Sequence, residues 1–161
     1  MPTKFKLRKS WQEKLKDSKD LPKIVVITDK MSKRWGKLGD TCVIPAPIEV
    51  DEIMRKVPKG KLTTINQIRQ KLAKKHGATI GCPITTGIFA WVSAHATEER
   101  ATQGKKKTTP YWRTLKEGGV INEKYPGGVE GQKGILKKEG FKVISKGKKY
   151  VVDDFERYLV R

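Results

Sequence analysis

The sequence predicts an α/β (α+β) protein built around a winged helix-turn-helix, on three observations. A capped amphipathic stretch over residues 64–77 is followed, after a glycine-containing turn, by a second helix opening at Pro83. Two helices so joined, the second beginning in small hydroxyl residues, form a helix-turn-helix whose second member is the recognition helix. Compact β-branched runs at residues 23–28 and 42–44 supply strands, and residues 141–152 hold two apolar runs around the basic tip Ser145-Lys146-Gly147-Lys148. A basic hairpin beside a helix-turn-helix suggests a wing.

The elements follow in order. Ser10 and Glu13 stand at capping-box spacing, so a short helix is expected near Trp11. Residues 29–40, with Trp35 and Gly36, read as a polar loop between the first two strands. Pro45-Ala46-Pro47 punctuates a boundary, which leaves residues 1–45 as a small basic appendage. Val50, Ile53, Met54 and Val57 fall at helical spacing until Pro58-Lys59-Gly60 stops them. Thr64 and Gln67 make a second capping box. Behind them Ile65, Ile68 and Leu72 form one stripe, Arg69, Lys71, Lys74 and Lys75 cover the rest, and Gly77 closes the helix. A turn through Thr79, Gly81 and Cys82 leads to a third helix over about residues 84–100, with Ile88, Trp91 or Val92, and His95 on one side. Residues 101–109 are a basic loop, 118–128 loop and turn, and 129–138 a glycine-containing helix. After the hairpin, Asp153 or Asp154 caps a short terminal helix carrying Phe155, Tyr158 and Leu159. The expected organisation is thus an appendage (1–45), a DNA-binding domain (46–141) and a C-terminal basic hairpin with a short helix (142–161).

Charge points to the partner. Among 161 residues stand 36 Lys and Arg against 17 Asp and Glu, a formal charge of +19. Residues 54–76 hold eight Lys or Arg and no acid, and residues 100–116 hold six and no acid. Clustering of this kind inside folded segments favours a polyanion bound through phosphate contacts and counterion release. No apolar run approaches the ~20 residues of a membrane span, and the basic N-terminus lacks an apolar signal core, so a cytoplasmic, nucleoid-associated monomer is expected. Cys42 and Cys82 have no metal spacing and His76 and His95 are the only histidines, so no metal or other cofactor is expected.

A group of motifs sharpens this picture. Pro110-Tyr111-Trp112-Arg113 precedes Gly118-Gly119, then Tyr125-Pro126-Gly127-Gly128, then Ile135-Leu136-Lys137-Lys138-Glu139-Gly140; upstream lies Pro58-Lys59-Gly60-Lys61-Leu62-Thr63-Thr64-Ile65-Asn66-Gln67-Ile68. Over residues 47–141 this resembles the DNA-binding domain of methylated-DNA–protein cysteine methyltransferases, the Gly-Gly to Glu-Gly spacing being the most specific part. That family carries a Pro-Cys-His-Arg box whose Cys takes the alkyl group from a flipped guanine, activated by a His that a Glu orients. Here Tyr111 stands for the Cys and Trp112 for the His, a pattern similar to the alkyltransferase-like proteins. The stretch from Gly87 to Pro110 is longer than in the family, which implies an insertion.

The resemblance implies a base pocket of Pro110, Tyr111, Trp112, Arg113 and Glu139, and no catalytic residue. Tyr111 has no adjacent base, Trp112 offers only an indole N–H, and Cys82 is far from the box in sequence. Two roles stand for Tyr111: an aromatic wall on which a flipped base stacks, or a plug in the vacated pocket. Arg113 is expected in an ion pair with an acid such as Glu139. The family's phosphate-rotating Tyr corresponds to Ile65 and its intercalating Arg to Gly87, so the flipping apparatus is missing. Ile88, Phe89 or Trp91 would serve as an apolar wedge, although core packing explains all three. Thr63, Thr64 and Gln67, with Thr85 and Thr86, suit phosphate binding at helix starts, and capping explains them equally well. Arg69, Lys74, Lys75, Lys105, Lys106 and Lys107 complete the expected DNA contacts. The function implied is non-catalytic binding of double-stranded DNA, with sensing of alkylated guanine on behalf of repair proteins. The alternatives are a nucleoid-type DNA-binding protein without lesion recognition and a true methyltransferase.

Overall fold

A computed structural model describes residues 9–33 and 36–160. The expected loop residue Trp35 and most of the basic N-terminus lie outside the described residues. The chain is mixed α/β. Its first helix, α1 (Trp11–Lys16), starts where Ser10 Oγ accepts from Glu13 N at 3.1 Å. Strand β1 (Lys23–Val26) pairs antiparallel with β2 (Thr41–Ile44), Lys23 opposite Ile44. Between them the expected loop contains one helical turn, α2 (Asp29–Ser32), which Ser32 Oγ closes by donating to the Asp29 carbonyl at 2.8 Å.

Helix α3 (Pro47–Arg55) begins with proline, and Glu49 folds back to accept from Ala46 N at 2.9 Å. Helix α4 (Ile65–His76) starts behind the short strand β3 (Thr63–Thr64), and Gly77, at φ +65°, ends it in the left-handed conformation that glycine adopts without strain. Only half of its expected capping box forms. Thr64 Oγ1 accepts from Gln67 N, while the Gln67 side chain accepts from Thr63 Oγ1 at 2.8 Å and donates to the Val160 carbonyl at 2.9 Å.

The turn after α4 is where the sequence expectation needs most correction. Ile80–Gly81 forms a strand, β4, lying parallel to β2 with Cys42 opposite Ile80. A sheet of order β1-β2-β4 therefore runs from the N-terminal segment into the helix-turn-helix turn. A Cβ on Gly81 would stand 2.6 Å from the Arg69 carbonyl oxygen, so glycine permits this approach to α4. Helix α5 (Pro83–Thr102) then runs for 20 residues.

Strand β5 (Thr114–Leu115) pairs parallel with β3. Helix α6 (Gly128–Lys138) precedes the hairpin of β6 (Val143–Lys146) and β7 (Lys149–Val152). Phe141 and Lys142, expected in the first hairpin strand, precede it, because Phe141 is drawn into the core. Phe155–Tyr158 is one 3-10 turn whose preceding Asp154 makes no side-chain cap.

Two large apolar cores result, beside a small cluster of Ile27, Cys42 and Cys82. Val43, Val50, Met54, Ile68, Leu72, Ala90 and Tyr111 fill the space among β2, α3, α4 and α5. Leu62, Leu115, Ile121, Leu136, Phe141 and Val152 form the second, and Trp112 packs against both. Each fully buried aliphatic side chain contributes roughly 1.5–3 kcal/mol.

Candidate nucleic-acid interface

The starts of α4 and α5 face the loop of residues 116–124 across an open cleft of about 640 Å³. Helix α4 contributes Ile65, Asn66 and Arg69, α5 contributes Ile84, Gly87, Ile88 and Trp91, and the loop adds Lys116, Lys124 and Asn122 together with the acids Glu117 and Glu123. Ile65 and Gly87, which the resemblance sets at the family's Tyr and Arg positions, thus line the same cleft. Gly87 has nothing within 4 Å of a would-be Cβ, so the cleft is open at this position. Ile84 and Ile88, one helical turn apart, remain 51% and 37% exposed. Core packing therefore does not explain Ile88, and Ile84 escaped the sequence reading because an apolar residue at helical spacing looks like core.

Charge surrounds this apolar floor unevenly. Arg69 Nε donates to the Gly81 carbonyl at 2.8 Å and Nη1 to Asn66 Oδ1 at 3.0 Å, which holds the guanidinium at the cleft. Lys116 pairs with Glu123 at 2.9 Å, and Lys124 Nζ lies 5.9 Å from the Trp91 ring centroid. Lys74 is exposed on α4, whereas Lys75 pairs with Glu49 at 2.9 Å. Lys105 and Lys106 are exposed, and Lys107 pairs with Glu98 at 2.8 Å.

The hydroxyl residues at the helix starts behave differently from phosphate binders. Thr63 and Thr64 are buried, and their side chains are spent on Gln67. Thr86 is buried with its hydroxyl unpartnered, and the Thr85 hydroxyl oxygen is likewise shut away without a partner. Capping and packing therefore account for Thr63, Thr64 and Gln67, while Thr85 and Thr86 point no hydroxyl into solvent.

Tyr111, Trp112 and Arg113 form a single 3-10 turn after Pro110. The turn sends Tyr111 inward: it is 1% exposed, with its ring edge-on to Trp112 (centroids 5.1 Å apart) and to Tyr125 (5.5 Å). Its hydroxyl donates to Glu98 Oε1 at 2.7 Å. Burial, and then the Glu98 carboxylate, push the phenol far above its ordinary pKa, so it stays protonated. Burial also opposes charge on Glu98, but hydrogen bonds from Lys107 and Tyr111 outweigh it and hold that carboxyl below its usual range. A stacking wall needs an open face, and Tyr111 has none; its ring fills the interior. Glu98 was invisible to sequence reasoning because its partner lies 13 residues away across the basic loop.

Glu139 gathers the rest of the box. Trp112 Nε1 donates to it at 2.8 Å, Arg113 Nε at 2.7 Å and Arg113 Nη2 at 3.1 Å, while Arg113 Nη1 donates to the Val57 carbonyl at 2.9 Å. Arg113 and Glu139 side chains are 14% and 9% exposed, so this is an interior ion pair. Burial again opposes the Glu139 charge, and Arg113 and Trp112 more than offset it. Cys82 is buried beside Cys42, whose thiol burial pushes up to about 11.

No family model matches the sequence, and no curated protein sequence does. Solved structures do share the fold. The crystal structure of S. pombe Atl1 in complex with damaged DNA containing O6-carboxymethylguanine superposes with a TM-score of 0.51 at 19% identity, over 71% of this chain and 94% of that one. A second structure, of S. pombe ATL in complex with DNA, gives 0.52 at 19% identity with the same coverage. The chain is therefore similar in fold to the S. pombe alkyltransferase-like protein.

Proposed function

We propose that this chain is a non-catalytic DNA-binding protein of the alkyltransferase-like kind, which receives duplex DNA on α4, α5 and the 116–124 loop and senses alkylated guanine. The observation that carries the reading is the cleft of about 640 Å³, with an exposed isoleucine pair on its floor and Arg69 and Lys124 beside it. Two exposed isoleucines on one helical turn suit insertion against base steps, where apolar side chains unstack and bend a duplex. With Gly87 in place of an intercalating Arg, Ile88 is the side chain left to occupy the gap of an extruded base. A base that already pairs poorly is the least costly to extrude, which favours an alkylated guanine. The S. pombe structures of the same fold hold DNA, one of them damaged DNA. Repair proteins are the proposed further partners, the nucleoid the proposed site of action, and the monomer the proposed form.

A second reading, general DNA binding without lesion recognition, is favoured by one observation. Tyr111 fills the interior at 1% exposure, so no pocket opens behind the box. Titration of an alkylated-guanine duplex against the same duplex unmodified separates the two. The lesion reading expects a preference on the order of 1–2 kcal/mol, from the lower cost of extruding a base that already pairs poorly. Equal affinity selects the second reading. Both require log affinity to fall linearly with log salt, and a salt-indifferent curve overturns both. The protein mass should be unchanged after incubation with alkylated DNA; an adduct on any residue restores the methyltransferase reading.

A further inference from the structure

The N-terminal helix α1 lies outside the region of resemblance, yet it is fastened beside the cleft. Glu99 on α5 accepts from Trp11 N at 3.1 Å, Gln12 N at 3.2 Å and Gln12 Nε2 at 2.8 Å, so an α5 carboxylate caps the N-terminus of α1. Trp11 thereby stacks on His95 (centroids 4.5 Å apart, 21° between planes) and meets Trp91 edge-on at 5.7 Å. His95 Nε2 is 2.8 Å from the Lys124 carbonyl, which ties the aromatic group to the loop that lines the cleft. A second groove of about 530 Å³ opens between α1 and α5. Trp11, Phe89 and Trp91 line it together with Lys9, Lys14 and Lys19. Ile88 and Trp91 line both grooves, so the two are neighbours on the face of α5.

We infer that this groove is a single-strand extension of the DNA interface: Trp11 and Trp91 receive unpaired bases, and the lysines receive their phosphates. The inference rests on the DNA-binding reading and adds the class of DNA that is held best, a duplex with an unpaired segment. Aromatic faces interleaved with cations are what unpaired nucleotides bind, because every base has a face to stack and every linkage a charge. The three groove lysines oppose one acid, Asp17, and Lys9 pairs with it. Lys14 Nζ stands 4.3 Å from the Trp11 ring centroid and is exposed, so a base that takes that place on the ring displaces the ammonium toward its own phosphate.

The test compares a blunt duplex with the same duplex carrying an oligothymidine tail of about six nucleotides, within the span such platforms cover. The tail should tighten binding by the full protein about tenfold, equivalent to ~1.4 kcal/mol. Trp11→Leu keeps an apolar anchor for α1, and Lys14→Glu with Lys19→Glu changes only exposed groups. Each should bring the tailed-to-blunt ratio close to one. A ratio of one in the unaltered protein overturns the inference while leaving duplex binding intact, and so does a tenfold ratio that survives both variants. Displacement by polyglutamate as effective as by oligothymidine assigns the groove to acidic protein and overturns it too. Failure to bind either DNA removes the DNA reading and this extension together.

Discussion

Tyr111→Phe isolates the hydroxyl at the centre of the altered box. The ring stays, so the core is still filled, and what disappears is one hydrogen bond of 2.7 Å to Glu98. A bond to a charged acceptor contributes about 1.5–3 kcal/mol. Glu98 keeps Lys107 as a partner at 2.8 Å, so its charge is not stranded and the lower end applies, about 1.5 kcal/mol. In a chain of this size that corresponds to a fall in Tm of roughly 3–6 °C. The pH dependence supplies a second signature. The folded phenol is raised above its ordinary value, so its contribution is complete below about pH 10 and is lost as pH climbs and only the unfolded chain ionises. Tyr125, raised by burial, acts in the same direction. Denaturant titrations between about pH 8 and 11 should show stability falling with pH, and the variant should lose one tyrosine's share, up to ~1.4 kcal/mol per pH unit. An unchanged Tm together with an unchanged alkaline slope would refute the plug. DNA affinity should not move, because Tyr111 does not line the cleft; lost lesion preference in this variant returns Tyr111 to contact with the base.

Three further outcomes are expected. Glu139→Gln strands the Arg113 guanidinium in the interior and should cost about 3 kcal/mol in chemical denaturation. Because the Glu139 carboxyl is held below its usual range, its stabilisation is present above that range and lost as pH falls through the folded value, so the variant should also take up about one proton fewer on acid unfolding. Gly81→Ala drives a methyl to 2.6 Å from the Arg69 carbonyl oxygen and should lower stability by about 1–3 kcal/mol; a neutral result refutes the close approach. Lys74→Glu should weaken duplex binding and reduce the salt slope by about one with stability unchanged, while Lys75→Glu, which breaks the pair with Glu49, should lower stability as well.

Local signals determined most of the elements. Ser10 and Thr64 fix helix starts through their side-chain hydroxyls, Gly77 and Pro83 fix helix ends through their backbone conformation, and the β-branched runs at residues 23–28 and 42–44 favour strand. The mixed α/β character and the pair of helices around a glycine turn were therefore legible without a partner in view. Proximity across long sequence separations was not legible. Only the folded chain sets Ile80–Gly81 beside β2 and Glu98 under the Tyr111 hydroxyl. It also leaves Ile84 and Ile88 exposed on a helix whose pattern reads as core. Thr63, Thr64 and Thr86 show the converse: residue types suited to phosphate are enclosed once the neighbouring strands and helices close around them. Sequence specifies what each segment does with its own backbone, and burial specifies which side chains remain free to meet a partner.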